Sequence, residues 1–476
     1  MKRIILSIVL CTVLCASCKK SNPSDDDRGE YELPYNNEGV TANKAFIEAE
    51  GKEFINKIDD LNQSATIKAI ESLSELDVPE IDIVSNSIQQ LAVSKSKVAA
   101  IHSFLGQIAA IEKSVETYNF KNTFGIYTYN YANDTWEKSP STDKLEFHFP
   151  SVKGGRANNA VLRITSKDSG KTFNDEWTDY RYEYNPVSRQ YEEYEVLIES
   201  IYHLPSSLTA TLTIGNSEVL NLTSSYSYND DSFPVSSTVN LKLEAYSAFA
   251  SYSNKNNQAD VQFSFSKNNE KLLETSGNSK FNGLTIDKLK NAEGEQEFLD
   301  LLALANADFK VGNLKISGNV NFDKINVETR SIRSSEPEYP SWEKYFGSIE
   351  YPNYEDYANY EAYQEALEEY LAKYEAAEEK YNQEYIKYDM AYEKYQNDYN
   401  TALAKSLNAN SLFTIINGKS NKIIASITFE LDNKYNELEP LLVFGDGSKL
   451  DFETFTETGF KGLINAFEDL IDNYSN

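Results

Sequence analysis

Apolar side chains recur every three or four residues near the start of the chain. Phe46 and Ile58 belong to one such stripe, and a longer stripe covers residues 83–111, beyond a break at Pro79. This spacing places the apolar residues on one face of an α-helix. The pattern therefore predicts amphipathic helices over residues 43–118.

Farther along the chain, apolar positions alternate with polar ones. The clearest example is residues 208–214, in which leucine, alanine and isoleucine alternate with three threonines. Turn-forming pairs separate the alternating segments, among them Asn133-Asp134, Gly215-Asn216 and Asn268-Asn269. Repeated over many segments, this pattern predicts an antiparallel sheet over residues 119–330 with one apolar face and one face toward water.

The apolar face of such a sheet needs a cover, which amphipathic helices can supply. The helices over residues 43–118 and a helix expected near residues 295–307 are the candidates. Residues 409–476 add further strands, with a turn at Asp446-Gly447, and a short closing helix. The predicted fold class is therefore α+β: a large curved antiparallel sheet packed on helices, with a long helix inserted between its halves.

The inserted helix is predicted over residues 353–408, which contain neither proline nor glycine. Tyrosines recur there at seven-residue intervals along two lines, the first with Tyr374, Tyr381, Tyr388 and Tyr395 and the second with Tyr385, Tyr392 and Tyr399. Heptads of this kind specify a coiled coil. The preceding residues 331–352 hold three prolines, which predicts a stiff linker.

Two interpretations of the tyrosine lines are open. Tyrosine can bury its ring while its hydroxyl stays in water, so we favour a buried packing seam. The alternative is an exposed aromatic surface that stacks on sugar rings or contacts a partner protein. The two interpretations differ in how much of each ring water reaches.

The first residues of the chain have a positive start and an apolar middle. Lys2 and Arg3 precede the apolar run of residues 4–14, which is too short to cross the ~30 Å core of a membrane as a helix. It has the length of the apolar region of a signal peptide. We therefore expect residues 1–17 to be a signal peptide and the polar residues 18–42 to be a disordered tether.

The end of that segment, Leu14-Cys15-Ala16-Ser17-Cys18, resembles the lipobox of bacterial lipoproteins. The resemblance implies cleavage before Cys18 and acylation, palmitate included, on that cysteine. Asp25, Asp26 and Asp27 resemble the acidic export signal of surface lipoproteins of the Bacteroides group, although they begin seven residues after Cys18, behind two lysines. This implies an outer-membrane lipoprotein displayed on the cell surface, with the periplasmic leaflet as the alternative.

Charge narrows the choice of partners. The chain carries 45 basic and 74 acidic side chains, a net charge of −29. Cleavage before Cys18 removes Lys2 and Arg3, which leaves 43 bases against 74 acids, or −31. This balance argues against nucleic acid as a partner and against binding to anionic lipid through charge. Membrane attachment is therefore expected through the lipid on Cys18.

Signatures of catalysis and metal binding are missing from the sequence. His102, His148 and His203 have no metal-ligand spacing to one another or to a cysteine. There is no nucleophile-elbow pattern and no glycine-rich phosphate loop. We expect no metal site, no cofactor and no enzymatic activity.

Three functional hypotheses follow from these observations. The first is a lipid-anchored interaction module, with the tyrosine helix as its reach and the sheet as its body. The sheet on helices is also similar to the lipoprotein-carrier fold, which implies as the alternative a carrier that holds a lipid or other apolar ligand between sheet and helices. A glycan-active enzyme ranks third.

Overall fold

A computed structural model describes residues 33–76, 119–185, 190–230, 232–255, 257–283, 300–432 and 434–457, together with residues 288 and 460. For residue 62, and for the described residues within 174–200, it describes the backbone alone. The predicted signal peptide, the acidic run after Cys18, the second helical stripe with His102, and most of the predicted closing helix lie outside these residues.

Among the described residues, two α-helices precede the sheet. Helix α1 spans Val40–Ile58, a 3₁₀ turn follows at Asp59–Gln63, and α2 spans Ala65–Ser74. The hydroxyl of Ser64 caps α2, because it accepts a hydrogen bond from the Ile67 backbone N–H at 3.2 Å. Both helices lie within or close to the segment in which the apolar stripes predicted them.

The described residues contain one sheet of 16 strands. The strands are β1 Gly125–Asn130, β2 Thr135–Ser139, β3 Leu145–Phe149, β4 Ala160–Asn185, β5 Gln190–Ile214, β6 Ser217–Tyr228, β7 Pro234–Leu243, β8 Tyr246–Lys255, β9 Gln258–Lys267, β10 Glu270–Phe281, β11 Leu302–Val311, β12 Leu314–Asn321, β13 Ser411–Asn417, β14 Lys422–Asp432, β15 Glu437–Phe444 and β16 Lys449–Asp451. From β3 to β16, each strand lies beside the one that follows it in sequence.

Tight turns with left-handed backbone join several neighbouring strands. Gly215 has a φ of +60° between β5 and β6, and Asn268 and Asn269 have φ of +50° and +67° between β9 and β10. Asp134 between β1 and β2 (φ +56°) and Gly447 between β15 and β16 (φ +80°) do the same. Glycine, asparagine and aspartate reach this region at least cost, and the turn predictions at these positions are confirmed.

The sheet is mixed, so the prediction of a wholly antiparallel sheet is wrong at one place. Strand β1 pairs antiparallel with β2, whose last residue Ser139 lies opposite Ile126 near the start of β1. Strand β1 also pairs parallel with β3, where Gly125 lies opposite Leu145. Because β2 ends beside the start of β1, residues 140–144 need only pass that end for β3 to run in the direction of β1.

The apolar face of the sheet and the two helices share one core. Its largest fully buried side chains lie on β3, β5 and β6, namely Leu145, Phe147, Phe149, Leu212 and Leu222. Ile55 and Ile58 of α1 and Ala69 and Leu73 of α2 belong to the same cluster. Full burial of a leucine or phenylalanine contributes roughly 1.5–3 kcal/mol, so this cluster is a major source of stability. The predicted helical cover of the sheet is confirmed for α1 and α2.

A buried carboxylate also holds α1 in place. Glu50 is 3% exposed and accepts hydrogen bonds from the Asn313 backbone N–H and from Lys419 Nζ, both at 2.8 Å. Burial alone would raise the pKa of Glu50, but the hydrogen bonds from Lys419 and Asn313 outweigh it and lower the pKa. Helix α1 is thereby joined to the β11–β12 and β13–β14 turns.

The chain divides into two units. The body unit comprises Met1–Asn319, Phe413–Ser426 and Val443–Asn476, and its described residues include α1, α2 and a short helix, α6, at Phe452–Glu457. The arm unit comprises Val320–Leu412 and Ile427–Leu442, and its helices are α3 Phe322–Arg333, α4 Trp342–Phe346 and α5 Tyr360–Asn410. The predicted fold class, α+β with a large sheet and a long inserted helix, is confirmed.

Two of the segment predictions are wrong in part. A helix is predicted near residues 295–307. Residues 295–299 lie outside the described residues and residues 300 and 301 are helical, but residues 302–307 belong to β11 and pair with β10, where the fully buried Ala305 lies opposite Ser279. The leucine and alanine spacing suits either element, and the ladder of hydrogen bonds to β10 decides for the strand. The sequence pattern likewise assigns residues 322–333 to the sheet and the linker, but they form helix α3. The few apolar positions in this segment make no long helical stripe.

Candidate interaction surface

Helix α5 is continuous over 51 residues. At 1.5 Å per residue its length is about 77 Å. The side-chain oxygen of Asn359 caps it by accepting a hydrogen bond from the Ala362 backbone N–H at 2.9 Å. Of the predicted residues 353–408, the first seven lead into the helix, and it continues to Asn410.

The last turns of α5 are tied to α3 and to strand β14. Ser406 Oγ and Asn410 Nδ2 donate to Glu328 Oε2 at 2.5 Å and 3.0 Å. The side chain of Asn408 forms two hydrogen bonds with the backbone of Phe429, both at 2.8 Å. These polar contacts fix the C-terminal end of α5 within the arm unit.

Tyrosine rings lie against one another along one side of α5. Successive rings from Tyr381 through Tyr385, Tyr388, Tyr392 and Tyr395 to Tyr399 have centroids 5.4–6.3 Å apart. Tyr370 and Tyr374 form a further pair at 5.9 Å. Residues three and four apart are neighbours on a helix surface, so the two predicted heptad lines merge into one series of touching rings from Tyr381 to Tyr399, and Tyr374 pairs with Tyr370 instead.

Residues 334–357, called the strap here, pack along this side of α5. Tyr339 lies 5.1 Å from Tyr388 between ring centroids, and Tyr351 lies 5.1 Å from Tyr370. Later positions in the strap meet earlier positions in α5, so the strap runs antiparallel to the helix. The prediction of a stiff linker at residues 331–352 is wrong, because aromatic contacts hold this segment on the helix.

Phe346 of helix α4 is the anchor of the strap. It is 7% exposed, and its ring centroid lies 5.0 Å from that of Tyr374 and 5.9 Å from that of Tyr381. The same ring stacks on Trp342 at 3.7 Å. Phe346 therefore packs between the Tyr370–Tyr374 pair and the series of α5 rings that begins at Tyr381.

The exposure of the seven predicted tyrosines lies between that of a buried packing seam and that of an exposed aromatic surface. Tyr385 is 41% exposed, whereas Tyr374, Tyr381, Tyr388, Tyr392, Tyr395 and Tyr399 are half-buried. The elements that pack on this side of α5 are α3 and the strap. The rings thus form a packing face, and an extended strap with one short helix takes the place of a partner helix in a coiled coil.

A second set of rings, called the aromatic row here, is much more exposed. It consists of Tyr339, Trp342, Tyr351 and Tyr354 of the strap and Tyr360 at the start of α5, with 57%, 54%, 64%, 54% and 64% of each residue exposed. Surface patches of large apolar side chains mark interaction sites. Tyrosine and tryptophan are also the residues enriched at the centre of protein interfaces.

Hydrogen bonds between phenols link the strap to the helix. The hydroxyls of Tyr339 and Tyr381 are 3.3 Å apart, and those of Tyr351 and Tyr363 are 3.4 Å apart. The bond from Tyr339 raises the pKa of Tyr381, and the bond from Tyr351 raises that of Tyr363. The phenols of Tyr381 and Tyr363 therefore remain neutral hydrogen-bonding groups well above physiological pH.

The surface around the aromatic row is acidic. Residues 334–400 contain 17 carboxylates and five lysines, a balance of −12. Lys373 and Lys394 are already paired within α5, to Glu369 at 2.7 Å and to Asp398 at 2.5 Å. The arm unit therefore combines exposed rings with an excess of negative charge.

The other residues singled out in the sequence lie elsewhere. Cys18, Asp25, Asp26 and Asp27 are outside the described residues. His148 lies on β3, half-exposed, with its Nε2 2.8 Å from Oε1 of Glu146.

Glu146 forms an ion cluster on the face of the sheet opposite the core. It is 4% exposed and accepts from Arg163 Nε at 2.6 Å and Lys144 Nζ at 2.9 Å. Burial alone would raise the pKa of Glu146, but the bonds from Lys144, Arg163 and His148 lower it to about 2. The cluster is internally satisfied, which fits a stabilising role.

Comparisons with known proteins give no relative. A scan against models of protein families, a search of curated proteins and a search of solved structures each found no match to this chain. Among the residues that the structure describes, no helix has the length and apolar character to span a membrane. Over the same residues, no cluster of three or more histidine, cysteine or carboxylate side chains could hold a metal ion.

The packing of the strap, which supplies four of the five rings of the aromatic row, is not predicted by the sequence pattern. The sequence does contain a signal, because Tyr351, Tyr354, Tyr357 and Tyr360 recur every third residue directly after a segment with three prolines, the last of them Pro352. A spacer has no need of so many large aromatic side chains. Their density in a proline-containing segment indicates a chain that packs against a neighbour.

Proposed function

We propose that this chain is a bacterial surface lipoprotein that binds a partner through its arm unit. Acylated Cys18 would attach it to the outer membrane. The tether between lipid and body would be residues 18–32, shorter than the predicted 18–42, because Tyr35 pairs with Ile423 and α1 begins at Val40. The aromatic row would be the contact surface. The observation that carries the proposal is the exposure of five large aromatic side chains on one unit.

The arm unit offers these rings in an ordered arrangement. Tyr339, Tyr351 and Tyr354 each pack edge-on against a tyrosine of α5, at 5.1–5.3 Å between centroids. Rings that are already held in place lose little conformational entropy when a partner covers them. A surface whose rings are already ordered favours binding, because little conformational entropy remains to be lost.

The alternative of an apolar-ligand carrier finds less support. Phe147, Leu212 and Leu222 of the sheet are almost completely buried and belong to one cluster with residues of α1 and α2. The chain's own side chains thus cover this part of the apolar face. The five residues of the aromatic row, by contrast, are 54–64% exposed.

Site-specific photo-crosslinking tests the proposal. A benzophenone amino acid replaces Tyr354 in one variant and Tyr435 in a matched control, since these residues are 54% and 58% exposed on the same unit. On intact cells irradiated with near-ultraviolet light, we expect adducts of discrete size from position 354 alone. An excess of added, purified full-length protein should abolish them. No adduct, or the same adducts from both positions, would contradict the proposal.

A further inference from the structure

The chemical class of the partner follows from what surrounds the aromatic row, and this inference rests on the proposed function. The face of an aromatic ring is electronegative and attracts cations that lie over it. The strap's own lysine uses a ring in this way, because Lys344 Nζ lies 5.1 Å from the ring centroid of Tyr345. Neighbouring exposed rings of the row offer the same kind of face to a cation from outside.

Carboxylates flank these rings on the strap itself. Residues 334–357 contain six acids and one lysine, a balance of −5, and all six acids are exposed: Glu336, Glu338, Glu343, Glu350, Glu355 and Asp356. An ammonium or guanidinium group over a ring would therefore also have a carboxylate within reach. In the sequence, each ring of the row has an acid directly beside it, namely Glu338, Glu343, Glu350, Glu355 and Glu361.

The charge decides between classes of partner. Nucleic acids and anionic glycans would be repelled by the −12 balance of residues 334–400. A neutral glycan could stack on the rings but would gain nothing from the carboxylates. A segment rich in lysine and arginine gains from both, and attraction at a distance also speeds its encounter with the arm.

The length of the row sets the length of the occupant. Tyr339 packs beside Tyr388, and the other end of the row is Tyr360 itself. Tyr388 lies 28 residues after Tyr360 along α5, which corresponds to about 42 Å. An extended peptide covers that distance with about 13 residues.

We propose that the aromatic row and the carboxylates around it form the docking site for an extended lysine- and arginine-rich segment of a partner protein. Side-chain cations of the segment lie over the exposed rings, and the acids of the strap contact the same cations. The hydroxyls of the tyrosines are not needed for this contact. That distinguishes the site from one that recognises sugar hydroxyls.

The first test is a titration of the purified full-length protein with a labelled synthetic peptide of about 13 residues, in which lysine and arginine alternate with glycine and serine. A matched peptide carries glutamine in place of every base, and a neutral linear hexasaccharide is the third probe. We expect binding of the basic peptide alone, weakened roughly tenfold between about 20 mM and about 300 mM salt. Tight binding of the hexasaccharide or of the glutamine peptide would overturn the inference, as would no binding of the basic peptide at low salt.

Paired substitutions then separate a cation over a ring from other contacts. Tyr354→Phe and Tyr360→Phe keep the electronegative ring, so affinity should stay within about twofold, whereas Tyr354→Leu and Tyr360→Leu together should weaken binding roughly tenfold. The ring of Tyr360 contacts Tyr363, whereas Phe346 contacts Tyr374 and Tyr381, so replacement of Tyr360 leaves the contacts of the anchor intact. Equal losses in the phenylalanine and leucine variants would refute the assignment.

Removal of three carboxylates at either of two places on the arm unit provides a matched pair of variants. Glu336→Gln, Glu338→Gln and Glu343→Gln remove three charges from the strap, and a second variant removes three exposed charges, at Glu368, Glu375 and Glu379, from the side of α5 turned away from the tyrosines. The first variant should weaken peptide binding several-fold more than the second. Equal effects would mean that only the overall charge matters, and the docking site would be rejected.

Failure of this inference and failure of the proposed function have different signatures. Mass spectrometry of the adduct formed at position 354 on cells identifies the crosslinked segment of the partner. A discrete segment without a cluster of lysine and arginine would end the inference and leave the interaction function standing. Absence of any specific adduct would end both.

Discussion

Replacement of Phe346 by alanine should release the strap from α5. Phe346 is 7% exposed and contacts Tyr374, Tyr381 and Trp342 with ring centroids 3.7–5.9 Å apart. Truncation of a buried phenylalanine costs about 3–5 kcal/mol, and each aromatic pair adds about 0.5–1.5 kcal/mol to the burial. Because the strap covers the helix from one side only, we expect a loss of local stability at the lower end of the range for phenylalanine truncation, about 3 kcal/mol.

Amide hydrogen exchange measures this effect where it occurs. The backbone N–H groups of Gly347 and Ile349 donate to Glu343 and Phe346 at 2.9 Å each, and both bonds depend on a docked α4. A loss of about 3 kcal/mol in local stability corresponds to roughly a hundredfold faster exchange at these two amides. Exchange in the body unit should stay the same.

Two further variants control for the chemistry of the change. Phe346→Leu keeps most of the buried apolar volume and should cost less than about 1.5 kcal/mol, so exchange should rise only slightly. Val327→Ala on α3 alters a residue that is 64% exposed and should change stability by less than about 0.5 kcal/mol. Unchanged exchange at Gly347 and Ile349 in Phe346→Ala would show that the ring contacts do not hold the strap.

Three further predictions concern the body and the anchor. The pKa of Glu146 is lowered from 4.5 to about 2, so its contribution of about 3 kcal/mol to stability is present above pH ~4.5 and lost as pH falls toward 2. The difference in urea midpoint between wild type and Glu146→Gln should therefore shrink as pH falls over that range. A constant difference would refute the ion cluster. Cys18→Ala should move the protein from the membrane fraction to the soluble one or block its processing, whereas wild-type protein with an unmodified Cys18 would end the lipoprotein proposal. Replacement of Asp25, Asp26 and Asp27 by alanine should make the protein resistant to protease added to intact cells, and unchanged cleavage would leave the acids as part of a tether.

Several features could be predicted from the sequence because they depend on residues close together in the chain. The turns at Gly215 and at Asn268-Asn269 need a left-handed backbone, and these residue types adopt it most cheaply. Alternation of apolar and polar residues then assigns each flanking strand its buried face. The long helix is local in the same sense, because a run of good helix formers without proline or glycine needs no outside partner to be recognised.

Choices between neighbours distant in the chain were beyond the sequence pattern. The parallel pairing of β1 with β3 follows from where β2 ends, which no alternation of residues encodes. Residues 302–307 carry a leucine and alanine spacing that fits a helix as well as a strand, and hydrogen bonds to β10 settle the matter. In both places the decision lies in a backbone ladder with another segment.

The candidate site also has features that follow from spacing along one segment and features that depend on packing between two segments. The seven-residue spacing of the tyrosines determined that one side of α5 would be aromatic, because 3.6 residues per turn bring these positions together. Which rings remain open to water was decided by the strap, whose Phe346 and Tyr339 bury part of that side and whose own Trp342 and Tyr351 then become the exposed surface. Ring exposure depends on packing between two segments, and periodicity along one of them carries no information about the other.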